Sequence, residues 1–215
     1  LYDSFVSYVY PLDKIYVYNI AKRMEAIKDH VVMIRGSTAD QDFLRRSILG
    51  HMPQRIIHLA AMPLANLAID RPEEAARSIL TGTLNLLEAA RDVSGLERLV
   101  YVSSSMVYGD FIKTPANEDH PTDPKEIYGS MKLSGELLTR AFGRLYELDY
   151  AIVRPSAVYG PTDNNRRVIS IFLENALAGR PLIVQGADQF LDFSYVTDTA
   201  AGIVAAALHP QASGL

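Results

Sequence analysis

The chain has 215 residues, 48% of them hydrophobic and 21% charged, the composition of a globular protein large enough for one well-buried domain. Its formal net charge of −4 offers no basic footprint, which argues against nucleic acid or an anionic membrane as a partner. There is no cysteine, so disulfides, thiolate catalysis and cysteine-ligated metals are excluded. No apolar run reaches the roughly 18 residues of a membrane span and no signal peptide is recognised, so we expect a cytoplasmic protein.

Short β-branched runs alternate with longer amphipathic segments, and this pattern predicts parallel strands joined by crossover helices. A short helix is expected over residues 1–10, where Pro11 ends it. Runs rich in Ile, Val and Tyr predict strands at residues 14–18, 30–34, 55–61, 99–102 and 150–154. The amphipathic segments predict helices at residues 40–49, 72–92 and 128–146.

The later part of the chain carries more turn-forming residues. Residues 110–124 contain three prolines among acids and other polar residues, so we expect a surface loop there. Beyond a turn-rich segment at residues 160–167, the pattern predicts a helix at 168–178, a short strand at 182–184 and a helix at 198–208. We expect this last part to form a small lobe over the strand ends.

Tyr128 and Lys132 lie four residues apart in a predicted helix, so their side chains share one face of it. An ammonium group close to a phenol favours the ionised phenol and lowers its pKa from the usual value of about 10. A tyrosine in that state can act as a general acid or base. The pair alone is a weak signal, because tyrosine and lysine occur at this spacing by chance in many helices.

Ligands of open parallel sheets bind outside the carboxyl ends of the strands. Three predicted strand ends carry small or hydroxylic residues, at positions 60–61, 103–105 and 155–157. Small side chains there allow a flat ligand to approach the backbone closely. The sheet therefore predicts a nucleotide or dinucleotide site with a proton-transfer helix beside it.

Six blocks of the sequence, in order, resemble the extended short-chain dehydrogenase/reductase superfamily, the NAD-dependent epimerase/dehydratase family of sugar-nucleotide enzymes. The blocks are residues 58–61, 82–89, 101–109, 128–132, 154–161 and 192–198. The resemblance implies an α/β Rossmann-type, doubly wound parallel sheet over residues 1–160. It implies a small C-terminal substrate lobe over residues 161–215, interleaved with the last sheet elements. The implied function is an NAD(P)-dependent epimerase or oxidoreductase acting on a nucleotide sugar.

The resemblance also assigns three catalytic residues. Tyr128 is the acid/base, and Lys132 binds the nicotinamide ribose and lowers the pKa of the tyrosine. Ser104 hydrogen-bonds the reacting oxygen, because the family's Ser or Thr lies four positions before a tyrosine that corresponds to Tyr108. In such enzymes a hydride passes between a carbinol carbon and the nicotinamide, while the tyrosine takes or returns the hydroxyl proton.

We also expect further residues to contact the cofactor or the substrate. The residues expected to contact the cofactor are Asn19, Ser37, Thr38, Leu59, Ala60, Ala61, Val102, Tyr128, Lys132 and Pro155. The residues expected to contact the substrate are Ser104, Ser105, Met106, Ala157, Arg166, Arg167 and Leu191. No metal is expected, because His58 has no second ligand at metal-binding spacing.

Two departures from the family concern the cofactor. The family's opening strand and glycine-rich turn are not found in the sequence, and residues 1–9 resemble the helix that follows that turn. We therefore expect the natural chain to begin upstream of Leu1 and to continue past Gly214. Asn19 stands at the predicted strand end where NAD-using relatives carry an Asp, with Lys22 and Arg23 close behind. We expect NAD as the cofactor, and these residues leave NADP open.

Two further departures concern the reaction. Family dehydratases carry an Asp-Glu pair after the catalytic Thr, and decarboxylases keep a Glu, whereas this chain has Ser105 and Met106. Because Met cannot move a proton, an epimerase or simple oxidoreductase is favoured. Leu191 replaces an Arg that grips the substrate diphosphate, and Ala157 replaces a substrate-contacting Asn.

These departures leave two alternatives open, an NAD(P)-dependent reductase or dehydrogenase of a non-nucleotide alcohol or carbonyl, and a non-catalytic dinucleotide-binding protein. For assembly, the family pairs its two long helices across a dimer contact. We therefore expect a homodimer formed through residues 72–92 and 128–146.

Overall fold

The computed structural model describes residues 1–4, 14–161, 163, 167–184, 186 and 190–215, with residues 14–20 described by their backbone alone. The strands are β1 (Tyr2–Asp3), β2 (Ile34–Arg35), β3 (Arg55–His58), β4 (Arg98–Val102), β5 (Tyr150–Val153), β6 (Ala157–Tyr159) and β7 (Phe193–Tyr195). The α-helices are α1 (Lys14–Ile27), α2 (Gln41–His51), α3 (Ala65–Asp70), α4 (Pro72–Ala76), α5 (Gly82–Ala90), α6 (Ile127–Tyr146), α7 (Val168–Leu177) and α8 (Val196–Leu208). A π-helical segment, Arg77–Thr81, joins α4 to α5.

Every strand pair in the described part of the chain is parallel. The central sheet has the order β3-β4-β5, with Ile57 opposite Val100 and Tyr101 opposite Ile152. Two shorter parallel pairs, β1 with β2 and β6 with β7, lie outside it. Parallel strands need crossover connections, which the helices between them supply. The α/β class predicted from the alternating pattern is confirmed.

Strand β4 is the centre of the core, and all five of its residues are buried. Successive side chains of a strand point to opposite faces. Leu99 and Tyr101 belong to one apolar cluster, together with Leu44 of α2, Leu87 of α5 and Phe142 of α6. Val100 and Val102 belong to a second cluster, with Ile203 and Ala207 of α8. Because β4 is covered on both faces, it reads as a nearly continuous apolar run, and the predicted doubly wound arrangement is confirmed.

Arginines fasten the carboxyl end of α8 to the amino ends of the strands. Arg98, the first residue of β4, pairs with Asp149 at 3.0 Å and donates to the carbonyls of Ala206 (3.1 Å) and His209 (2.6 Å). Arg55 donates to the Ala207 carbonyl at 3.1 Å. Cations are favourable at the carboxyl end of a helix, where carbonyls lack helical partners. Helix α8 therefore covers the main sheet, and the domain boundary at residue 160 stays a prediction.

Several predicted elements are wrong. Residues 14–18 were expected to be a strand and lie in α1, because their apolar run continues into residues 21–27, whose Ala, Lys, Arg, Met and Glu favour helix. Tyr2 and Asp3 form a strand and not the expected helix, while residues 5–10 lie outside the described part. Only the end of the strand predicted at 30–34 pairs, as β2. Residues 182–184 form no strand, and their side chains are exposed.

Candidate active site

The site is built where the carboxyl end of β4 meets helix α6. The hydroxyl of Tyr101 donates to the Lys132 carbonyl at 3.2 Å, and the Lys132 ammonium donates to the Val102 carbonyl at 2.8 Å. The next residue, Ser103, donates from Oγ to Glu136 Oε1 at 2.6 Å. Three successive residues of the chain are thus each bonded to α6, and Ser104 follows directly.

Two glycines allow this close approach of the helix. A Cβ at Gly135 would overlap the hydroxyl of Tyr101. A Cβ at Gly129 would lie 2.6 Å from the Met106 carbonyl oxygen and 3.0 Å from Cβ of Pro124. Because real Cβ atoms do not approach backbone so closely, glycine at these positions seats the first turns of α6 against the segment that carries Ser104.

Tyr128 is the second residue of α6, and its ring packs against an apolar cluster that includes Met62, Ala68 and Ile79. Burial raises the pKa of Tyr128 above its ordinary value, and the positive charge of Arg167 acts in the opposite direction. The Lys132 nitrogen lies 5.9 Å from the centre of the Tyr128 ring. The direction of the shift is therefore opposite to the lowering expected from Lys132.

Lys132 is almost completely enclosed, with 3% of its surface exposed. Burial disfavours the charged ammonium and lowers the pKa of Lys132 to about 8. The hydrogen bond to the Val102 carbonyl fixes the amine beside the strand end. The Lys132 amine therefore loses its proton at a pH closer to neutral than an ordinary lysine does.

Ser104 has extended backbone, with φ −160° and ψ 150°, and its Oγ accepts from the Met106 N–H at 3.2 Å. That bond caps the 3₁₀ turn Ser105–Val107 and uses a lone pair of the hydroxyl. The hydroxyl keeps its own hydrogen, so it can donate to a substrate oxygen.

The ends of β4 and β5 lie together, as predicted for adjacent parallel strands. The Ser105 N–H donates to the Pro155 carbonyl at 3.0 Å, and Ser105 Oγ bonds Ser156 Oγ at 3.4 Å. Beyond β3, Ala61 packs against the same apolar cluster as Tyr128. The ends of β4 and β5 are thus joined to each other, and Ala61 beyond β3 shares the apolar cluster of Tyr128.

His58, at the end of β3, is buried beside this site. Its Nε2 bonds Thr83 Oγ1 at 3.0 Å, and the Thr83 hydroxyl donates to the Ile79 carbonyl at 2.5 Å. Burial lowers the pKa of His58 to about 3, and the charge of Lys132 makes a smaller contribution in the same direction. The imidazole is therefore neutral. Among the described residues, no group of three or more His, Asp or Glu could hold a metal ion.

Asp3 is a candidate cofactor residue that the sequence patterns missed. It ends β1, and its carbonyl accepts from the Gly36 N–H at 2.9 Å, next to Ser37 and Thr38. In Rossmann folds an acid near a strand end hydrogen-bonds the ribose. Asn19 had been placed at such an end, but it lies in α1, so the reason for choosing it is wrong. A two-residue strand is too short to produce a periodic signal.

Ser37 and Thr38 lie at the carboxyl end of β2, alongside that of β1. The Ser37 carbonyl accepts from the Tyr2 hydroxyl at 2.9 Å, and the Thr38 carbonyl accepts from Asn85 Nδ2 at 2.9 Å. Both residues thus border the Asp3 end of the site. Leu59 follows β3 and is 61% exposed. Their cofactor contacts stay predictions.

The structure shows contacts for only some of the residues expected to bind substrate. Arg167 directly precedes α7, donates to the Val158 carbonyl at 3.4 Å and acts electrostatically on Tyr128. Ala157 pairs with Phe193 across β6 and β7, and Leu191, two residues before Phe193, is more than half exposed. Arg166 lies outside the described residues.

Two groups of residues have the chemistry needed to bind the two ends of a nicotinamide dinucleotide. Lys132 and Tyr128 supply an amine and a phenol beside small residues at one strand end. Asp3 supplies a carboxylate at another strand end, of the type that accepts ribose hydroxyls. This donor set matches the nicotinamide ribose and the adenosine ribose respectively.

Comparison with known proteins gives the same family. The profile of the NAD dependent epimerase/dehydratase family matches residues 11–214. The chain is 32% identical over 183 residues to UDP-glucose 4-epimerase of Mycolicibacterium smegmatis, covering 83% of this chain and 58% of that protein. It is 36% identical over 152 residues to UDP-glucuronate 4-epimerase of Thermodesulfobacterium geofontis, covering 70% and 46%. The chain spans about half the length of these curated relatives.

Solved structures share the fold. UDP-glucuronic acid 4-epimerase from Bacillus cereus, in complex with UDP-glucuronic acid and NAD, superposes with a TM-score of 0.85 at 25% identity, covering 99% of this chain and 66% of that one. dTDP-glucose 4,6-dehydratase from Streptomyces venezuelae, with NAD bound, gives a TM-score of 0.79 at 28% identity, covering 95% and 61%. By profile, sequence and fold, this chain belongs to the NAD-dependent epimerase/dehydratase family of extended short-chain dehydrogenases/reductases.

Proposed function

We propose that this chain carries the acid/base site of an NAD-dependent nucleotide-sugar epimerase. The observation that supports the proposal is that α6, which carries Tyr128 and Lys132, is joined to the end of β4 two residues before Ser104, by the Lys132 bond to the Val102 carbonyl. Relatives named as UDP-glucose and UDP-glucuronate 4-epimerases support the reaction class. Met106, whose side chain has no exchangeable proton, favours an epimerase over a dehydratase.

In this proposal each side chain has one task. Tyr128 takes the proton from the sugar hydroxyl during oxidation and returns it during reduction. Ser104 donates its hydroxyl hydrogen to the same sugar oxygen, and Lys132 binds the nicotinamide ribose. NAD bound here would supply the hydride acceptor. Inversion requires the oxidised sugar to present its other face before the hydride returns.

The charge of Arg167 has a specific role in the proposal. Because burial raises the pKa of Tyr128, forming the phenolate needs a nearby cation, and Arg167 supplies an opposing charge. The same guanidinium can pair with an anionic group of the substrate. A nucleotide sugar carries such groups on its diphosphate.

NAD is the proposed cofactor, and Asp3 is the residue of this chain that supports it over NADP. A carboxylate accepts hydrogen bonds from both ribose hydroxyls, whereas it repels a 2′-phosphate. Solved relatives contain NAD.

The substitution Tyr128→Phe tests the proposed reaction. It should lower the rate of C4 epimerisation of UDP-glucose or UDP-glucuronate by about 100- to 10,000-fold, because a general acid/base contributes about 10²–10⁴-fold. NAD affinity should change little. Proton NMR of the sugar products measures the rate, and calorimetric titration measures the affinity. Undiminished turnover in this variant would refute the proposal.

A smaller alcohol or carbonyl compound is the second candidate substrate, because Leu191 is uncharged where relatives carry an arginine. A nucleoside diphosphate that gives no thermal stabilisation at saturating concentration would favour this candidate. A protein that binds NAD but turns over no sugar or alcohol would support the non-catalytic alternative.

We also propose a homodimer formed through α5 and α6. A shallow apolar groove between these helices is lined by Leu80, Thr81, Leu84, Ser134, Leu137 and Leu138. Leu137 is 58% exposed there, which favours burial against a second copy. Among the described residues, no helix combines the length and apolarity that a membrane span needs. The cytoplasmic location stays a prediction.

A further inference from the structure

A buried ionic cluster around Glu136 lies beside the candidate site. Glu136 is 1% exposed, and its carboxylate receives both Arg154 Nε at 2.9 Å and Arg154 Nη2 at 2.7 Å. Glu136 Oε1 also accepts from Ser103 at 2.6 Å, and Arg140 lies 3.8 Å from Oε2. A buried carboxylate with this many donors is held in one orientation.

The ion pair reaches both sides of Ser104. On one side Glu136 binds the preceding residue, Ser103. On the other side Arg154 donates from Nη1 to the hydroxyl of Tyr108 at 2.9 Å, and its guanidinium carbon lies 4.8 Å from the centre of that ring. Tyr108 closes the 3₁₀ turn whose Met106 N–H binds Ser104 Oγ.

The same ion pair also constrains Lys132. Glu136 lies one helical turn after Lys132, so both side chains face the strand from one side of α6. Lys132 bonds Val102, and Glu136 bonds the next residue, Ser103. Two successive turns of the helix are therefore joined to the last residue of β4 and to the residue that follows it, which fixes the position of the amine relative to Ser104.

We propose that Glu136, with Arg154 as its counterion, is a positioning residue that holds Ser104 and Lys132 in reactive geometry. The proposal rests on the proposed function, because it assigns the ion pair a role in that reaction. Neither residue is assigned contact with substrate or cofactor. They act by joining α6 to the ends of β4 and β5 at the point where the catalytic groups emerge.

The chain offers a matched control at the opposite end of the same strand. Arg98 begins β4 and forms an ion pair with Asp149, and the side chain of Arg98 is 8% exposed. Asp149→Asn removes a charge from a partly buried pair, in which the Asp149 side chain is 31% exposed, at the opposite end of β4 from Ser104. A purely structural role for Glu136 predicts that Glu136→Gln and Asp149→Asn behave alike. A positioning role predicts that they differ.

The first readout is the rate at which an amine-reactive acetyl ester labels Lys132, followed by mass spectrometry. The exposed residues Lys113 and Lys125 serve as internal references. Glu136→Gln and the milder Ser103→Ala should raise the relative labelling rate of Lys132 by at least about tenfold, because the anchored helix turn opens locally. Asp149→Asn should leave that ratio near the wild-type value.

The second readout is the split between kcat and KM in C4 epimerisation. Ser103→Ala and Glu136→Gln should lower kcat, by up to about 100-fold for Glu136→Gln, with little change in KM for the sugar. Asp149→Asn should keep kcat. Arg154→Lys, which preserves the charge but not the two-pronged contact, should fall between wild type and Glu136→Gln.

The two readouts separate this inference from the proposed function. If Lys132 labelling rises equally in the Glu136 and Asp149 variants, or if folded Ser103→Ala and Glu136→Gln proteins match the wild type in labelling, the positioning role is refuted. A wild-type protein without epimerase activity refutes the proposed function, and the labelling comparison still decides whether Glu136 positions Lys132. If Glu136→Gln fails to fold, Ser103→Ala carries the test, because it keeps the ion pair.

Discussion

At the scale of single residues, burial sets the two titrating groups of the site in opposite directions. It raises the pKa of Tyr128 and lowers that of Lys132 to about 8. Both shifts favour the neutral form of the side chain. The ionised phenol of Tyr128 is therefore disfavoured by burial, and the positive charge of Arg167 acts against that effect.

Replacement of Lys132 by methionine should reveal the cost of burying its charge. Below pH 8 the lysine is charged in both the folded and the unfolded chain, so the folded protein bears the full cost. As pH rises from about 8 to 10.5, the folded chain releases this proton while the unfolded chain keeps it. The stability of the wild type relative to Lys132→Met should therefore rise across this window, by on the order of 3 kcal/mol.

Denaturant unfolding of both proteins at several pH values measures this difference. Subtracting the variant removes the contributions of groups that titrate equally in both proteins. A stability difference that stays flat between pH 8 and 10.5 would show that Lys132 is not buried as described.

Asp3 should decide the choice between NAD and NADP. Asp3→Asn should weaken NAD binding by about 10- to 100-fold, since a hydrogen bond to a charged group contributes about 1.5–3 kcal/mol. It should also reduce the discrimination against NADP, because a neutral amide does not repel the 2′-phosphate. Calorimetric titration with both cofactors measures the two affinities. Asp29→Asn, at an exposed position, provides a control with the same change in charge.

If the Asp3 and Asp29 variants bind NAD equally well, the proposal that Asp3 binds the adenosine ribose is wrong. An unchanged NAD to NADP ratio in Asp3→Asn would contradict it in the same way. Because both variants change the net charge equally, the comparison separates the effect of the Asp3 carboxylate from the effect of net charge.

At the scale of elements, the contact between α6 and the end of β4 controls the site. Gly129→Ala would place a Cβ 2.6 Å from the Met106 carbonyl oxygen, and backbone cannot move aside as a flexible side chain can. The first turn of α6 must shift, which displaces Tyr128. We expect a loss of epimerase activity of about 100-fold, since misplacement of a catalytic group by about 1 Å has this effect.

Gly50→Ala is the matched control for the same substitution. A Cβ at Gly50, within α2, meets no atom within 4 Å. Alanine is the better helix former, so this variant should be more stable by about 1 kcal/mol and fully active. Steady-state kinetics and thermal unfolding of the two variants give the comparison. An active Gly129→Ala enzyme would show that α6 is not seated as tightly as the structure indicates.

At the scale of the whole molecule, the apolar groove between α5 and α6 predicts assembly. Leu137→Arg should convert the proposed homodimer into a monomer, because an arginine facing its symmetry mate leaves a charge buried without a partner. Light scattering coupled to size exclusion measures the mass. Leu177→Arg is the control, because Leu177 is an exposed residue of α7 and does not line the groove between α5 and α6. This variant should leave the dimer intact. A monomeric wild type would contradict the proposal.

The fold class and the family could be read from the sequence because both depend on local patterns. Alternating apolar runs predicted the strands β3, β4 and β5, and the spacing of Tyr128 and Lys132 predicted their shared helical face. Strand β1 could not be predicted, since Tyr2 and Asp3 are too few to show a period. The strand predicted at residues 14–18 was wrong, because β-branched and aromatic residues also form helix when the flanking sequence favours it.

The sequence alone determined which chemical groups this protein places along its chain and in what order, because motifs are properties of neighbouring residues. Only the tertiary structure decided how those groups are held. The Glu136 carboxylate meets Ser103 and Arg154 across 33 and 18 positions of the chain, and Arg167 reaches the field of Tyr128 from another element. Burial, which shifts the pKa values of Tyr128 and Lys132, depends on packing from several elements at once, and local sequence patterns do not contain that information.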